Sequence, residues 1–80
     1  MIVTTKNGSQ YVFFVDTLSN QMRVKGGPFE VEFVVTDLKN LTIGERLEIE
    51  GYFLDPITHV PKYSFGKRSN ITATIAKIQP

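Results

Sequence analysis

The chain contains no cysteine, which removes two of the ways a small domain stabilises itself. Neither a disulfide framework nor a thiolate zinc site can form. Histidine occurs once, at His59, too few imidazoles for a metal centre. No apolar run is long enough to span a bilayer or to serve as a secretory signal, so no membrane association is expected. Together with the lack of cysteine this gives a cytoplasmic protein as the expectation. A dominant charge is lacking too: the net charge is +1, too small to argue for nucleic acid or a membrane surface. Helical periodicity is missing almost everywhere.

What is present is alternation with period two. The chain has 80 residues, enough for one domain, taken as 1–80, and too few for a second core. Its hydrophobic fraction of 41% and charged fraction of 21% are ordinary globular values, which excludes disorder as the reading. Six Phe and three Tyr supply the large apolar areas that a core without staples needs.

Ile2 to Thr5 is β-branched throughout and runs into Asn7-Gly8, a strong hairpin signal that predicts a type I′ turn. That turn sets Lys6 opposite Ser9, Thr4 opposite Tyr11 and Ile2 opposite Phe13. Gln10 to Asp16 is apolar on both faces, as a covered strand is. Gln21 to Lys25 alternates, Gly26-Gly27-Pro28 reads as a turn, and Phe29 to Thr36 alternates again. Folding about that turn sets Val24 against Val31 and Met22 against Phe33 inside. Arg23 and Lys25 then face Glu32 and Glu30 outside. Asp37 to Asn40 is the one place for a short helical turn. Arg46 to Leu54 is a long strand with Gly51 on its apolar face, the mark of a bulge or bend. After a connection from Pro56 to about Pro61, a short strand is expected around Tyr63 and Phe65 and a last strand over Asn70 to Ile78. The two glycosylation sequons, at Asn40 and Asn70, read as chance without an export signal.

These elements predict an all-β fold, a small, mostly antiparallel β-barrel of roughly five to seven strands with at most one short helical turn. The expected core is Phe13, Val24, Val31, Phe33, Leu47, Ile49, Phe53, Ile71 and Ile75.

Leu41-Thr42-Ile43-Gly44-Glu45-Arg46-Leu47-Glu48-Ile49-Glu50-Gly51 resembles a segment of the second, β-barrel domain of translational elongation factors, where an apolar-Gly-acid turn feeds an alternating strand. The resemblance implies a barrel; the GTPase domain of that family is missing from the chain, so its activity is not implied. Thr5-Lys6-Asn7-Gly8-Ser9-Gln10-Tyr11 and Ile75-Ala76-Lys77-Ile78 look like short bacterial and phage β-proteins, which implies an origin and no function.

Catalytic chemistry finds little to work with. The serines lie in turn or loop sequence with only His59 as a base, and none sits in a nucleophile elbow. Glu30/Glu32 and Glu48/Glu50 share strand faces, but those faces are solvated and carry partner cations, so acid–base catalysis is not expected. Gly26-Gly27-Pro28 precedes a strand, whereas phosphate cradles precede a helix. No enzyme, metal or cofactor is expected.

The informative stretch is the late one. Residues 29–55 carry seven acids and two bases, while residues 56–80 carry four bases and no acid. Within the latter, Lys62, Tyr63, Phe65, Lys67 and Arg68 interleave cations with aromatics. Aromatics and arginine are enriched at protein interfaces, and loops on a rigid barrel carry recognition. The first expectation is therefore a non-enzymatic module binding another protein as an adaptor, inhibitor or phage-associated factor. Stacking aromatics beside cations also hold single-stranded nucleic acid, which is the first alternative. The second is self-assembly into a homo-oligomer, basic face to acidic face.

Overall fold

Six strands follow one another around a closed barrel, each antiparallel to the next: β1 (Ile2–Thr5), β2 (Gln10–Asp16), β3 (Gln21–Gly26), β4 (Phe29–Lys39), β5 (Arg46–Phe53) and β6 (Arg68–Gln79), with β6 returning to pair with β1. The computed structural model describes residues 1–63 and 66–80, and for Glu30 and Val31 the backbone alone. The expected all-β barrel is what the chain forms. Closure suits a domain this small, because it pairs strand edges that would otherwise face water.

The first hairpin differs from expectation by one residue. Ile2 lies opposite Val12 and Val3 opposite Tyr11. The loop is three residues long: Gly8 N–H donates to Thr5 O at 3.0 Å and Thr5 N–H to Ser9 O at 2.9 Å. Gly8 alone has a positive φ, +88°, and Asn7 does not. This is a type I turn closed by a glycine bulge rather than a type I′ turn. The Asn7 carboxamide holds it, its Oδ1 accepting from the Thr5 hydroxyl and the Ser9 N–H. The shift brings Val3 and Thr5 inside, both buried.

The second hairpin starts in the expected register, with Gly26 opposite Phe29, and then slides. Glu30, Val31 and Glu32 occupy β4 where β3 has Lys25 alone, so Val24 meets Phe33 and Arg23 meets Val34. Phe29 and Phe33 face inward together on either register, their rings stacked at 5.0 Å. Tyr11 and Phe53 extend this row edge-on, at 6.2 and 5.2 Å. The expected Arg23–Glu32 ion pair forms nonetheless, at 3.1 Å, because Glu32 is the diagonal neighbour on the same face. Arg23 also reaches Asp16 at 3.4 Å and is 12% exposed.

No helical turn forms at Asp37 to Asn40. A bulge between Val35 and Asp37 realigns β4, whose last residues pair with Glu50, Ile49 and Glu48. Leu38 thereby turns inward and packs against the core. Cross-strand pairing and burial outweigh the local preference.

The core gathers Phe13, Val24, Phe33, Leu47, Ile49 and Ile75 as expected, together with Val3, Tyr11, Phe29 and Val35. Phe53 is partly buried against it, and the side chain of Val31 lies outside the described residues. Ile71 does not belong to it: the residue is 61% exposed, opposite Glu48 on the outer face. A register shift between Arg46 and Glu48 turns Thr72 inward in its place. The Thr72 hydroxyl accepts from Leu47 N–H at 3.1 Å and donates to Ala73 O at 2.6 Å, so the break in the ladder is internally satisfied. Asn70, the residue of the second sequon, has its Nδ2 buried.

Candidate functional site

The connection between β5 and β6 doubles back on the outer face of the barrel. Leu54 bridges Pro61, and Lys62 N–H donates to Phe53 O at 2.7 Å. Asp55 organises the tip. Its Oδ1 accepts from Ile57 N–H at 2.8 Å and Thr58 N–H at 3.1 Å, its own N–H donates to Val60 O, and its carbonyl accepts from His59 N–H, both at 2.9 Å. His59 completes the turn in the left-handed region, φ +58°. The two backbone donors hold the Asp55 carboxyl below the usual carboxylate range, with a smaller contribution from Lys62, whose Nζ is 3.7 Å from Oδ2. Residues 54–62 are thus held by bonds of their own, and a segment fixed in advance lowers the entropy cost of binding.

The loop seals part of the outer face and presents the rest. Val34 and Leu54 are buried although Val34 points outward by register. Tyr63 lies edge-on against Tyr52 of β5, centroids 4.9 Å apart, and stays 60% exposed. Ile57 is 87% exposed and Val60 56%, so three apolar side chains stand out from one hydrogen-bonded segment.

Of the expected site residues that are described, Tyr63 and Lys67 share the outer side of β5 and Arg68 does not. Lys62 and Tyr63 belong to the loop. Lys67 lies beside β5, its Nζ 3.8 Å from Glu50 Oε2. Arg68 begins β6 opposite Gly51, on the interior-facing side of the sheet at the barrel rim, while Tyr52 and Tyr63 lie on the outer side. Phe65, and with it part of the expected short strand, lies outside the described residues. Glu50 also holds Lys39 at 3.3 Å, and this hydrogen bond raises the Lys39 pKa. Ile57 and Val60 were not expected as site residues. The Asp55-Pro56 start, with threonine three residues after the aspartate, is the signal that marks their loop as a capped turn rather than a slack connection.

Among the described residues no group of three or more His, Cys, Asp or Glu side chains could hold a metal ion, and no helix is long and apolar enough to cross a membrane. The arrangement defines a class: a closed six-stranded antiparallel barrel carrying a hydrogen-bonded segment after β5 with exposed apolar side chains. No family model, no curated protein and no solved structure matches the chain.

Proposed function

We propose that this barrel is a non-enzymatic module that binds another protein, as an adaptor, inhibitor or phage-associated factor, through the loop between β5 and β6. The observation that carries this reading is the exposure of Ile57, Val60 and Tyr63 on a segment fixed by its own hydrogen bonds. Apolar side chains held out on an ordered loop bind a partner surface without paying for loop ordering. The flanking cations suit this reading better than a nucleic-acid one. Lys62 and Lys67 each stand beside a carboxylate, Asp55 and Glu50, and a phosphate backbone would have to displace those acids.

The test is a paired capture experiment. Wild type and an Ile57→Ser/Val60→Ser/Tyr63→Ala variant are immobilised and exposed to a nuclease-treated lysate of the source organism. A protein retained by the first and lost by the second, with circular dichroism unchanged, supports the reading. Equal retention by both sinks it. Oligonucleotide binding that weakens steeply with salt would replace it with the single-strand reading. Light scattering on the isolated chain would reveal self-assembly.

A further inference from the structure

The barrel wall opens where β3 and β4 part. The β3–β4 ladder ends at the pair Arg23–Val34. Beyond it, Gln21 and Met22 of β3 pair only with Asp16 and Val15 of β2. On the other side Asp37, Leu38 and Lys39 of β4 pair only with β5. The two strands diverge, and the end of β4 keeps one edge of its backbone without a strand partner. Strand edges of this kind accept an added strand.

The gap is lined for a particular guest. A cavity of about 310 Å³ opens there between Met22 and Val35, Thr36, Asp37 and Leu38. Across Met22 a second cavity, about 390 Å³, is bounded by Met1, Phe13, Phe14 and Val15. By register Met22, Val35 and Leu38 lie on the interior side of the sheet, in line with Val24, Gly51 and Ile49. Asp37 lies on the outer side, opposite Glu50. Its carboxylate makes no hydrogen bond or contact ion pair with any described residue and meets the Lys39 ammonium only as a weak, longer-range attraction, whereas Asp16 at the same end is already engaged by Ser19 and Arg23. Met22 is 38% exposed and Val15 54%, and methionine adapts its shape to what enters.

We propose that this seam is a second binding site, where a short extended peptide adds to the free edge of β4 with a large aliphatic side chain pointing in and a lysine or arginine pointing out. A strand's side chains alternate between faces, so one residue fills the cavity at Met22 while its neighbour reaches Asp37. The site is separate from the Tyr63 loop and does not depend on it.

The test titrates isotope-labelled protein with a blocked hexapeptide of alternating leucine and lysine, followed by amide chemical shifts. Shifts are expected at Gln21 to Arg23 and Val35 to Lys39, and not at Ile57 to Tyr63. Asp37→Asn is expected to weaken binding about two- to fivefold, the range for an exposed ion pair. A leucine–glutamate peptide of the same length is expected to bind more weakly than the lysine peptide. Absence of shifts at millimolar peptide, shifts confined to another surface, or equal binding of the two peptides overturns the proposal. Concentration-dependent shifts at the seam without peptide would assign it to a second copy of the chain and overturn it as well.

Discussion

Gly51 lies directly against the carbonyl of Val34: a Cβ placed on it would overlap that oxygen and stand 2.9 Å from Cε1 of Phe33. Val35 stands opposite Gly51 as the last pair before the β4 bulge. Neither neighbour can retreat, since one is backbone in the ladder and the other a fully buried ring. Gly51→Ala is therefore expected to destabilise the barrel by about 1–3 kcal/mol or more, read as a lower urea midpoint. An unchanged midpoint would show that the strands are not this close.

Thr72 offers a test of the break between β5 and β6. Its hydroxyl is the partner of Leu47 N–H inside the barrel. Thr72→Val keeps the shape and leaves that N–H without an acceptor, at a cost of about 1–3 kcal/mol. Thr72→Ser keeps the hydroxyl and should lose less. Amide exchange at Leu47 should quicken in the valine variant before that of Ile49 does. If valine is tolerated as well as serine, the hydroxyl does not close the ladder.

Acid stability should depend on two carboxylates. The Ser19 hydroxyl and then the Ser19 N–H lower the pKa of Asp16, and the Ile57 and Thr58 N–H groups lower that of Asp55. A carboxyl with a lowered folded pKa contributes stability that is present above its unfolded value, about 3.9, and lost as pH falls through the folded value. The wild type should thus lose stability below about pH 4 more steeply than an Asp16→Ala/Asp55→Ala variant. Above about pH 5 the two stabilities should run parallel. Equal slopes in the acid limb would mean that the hydrogen bonds to Ser19, Ile57 and Thr58 do not persist in solution.

The strands were legible in the sequence because alternation is a property of one segment. β2 spans Gln10–Asp16, as its apolar pattern predicts, and Phe13, Val24, Phe33, Leu47, Ile49 and Ile75 occupy the core. Register was less legible, because a bulge leaves no trace in alternation until its partner strand is known. The extra residues beside Lys25 and at Thr36 each look like continued strand when read alone. The site was half visible for the same reason. Lys62, Tyr63 and Lys67 stood out by composition, but Glu50, which holds Lys67, comes from a strand 17 positions earlier (67 − 50). The open seam at Met22 and Asp37 was invisible, since it arises only where two ladders part.

Ile71 and Ile75 show most sharply what a register shift decides. Both are isoleucines of β6 and four positions apart, and alternation alone puts them on one face. The structure separates them: Ile75 is fully buried and Ile71 is 61% exposed. Threonine keeps the β-branch of isoleucine, so substituting it leaves strand preference nearly unchanged and isolates the effect of burial. At Ile71 the change should stay within about 0.5 kcal/mol. At Ile75 it removes a methyl contact and buries a hydroxyl, and should cost about 2 kcal/mol or more. Urea unfolding of the two single variants reads the difference directly. Equal losses would place both residues in the core, restore unbroken alternation along β6, and remove the bulge that turns Thr72 inward.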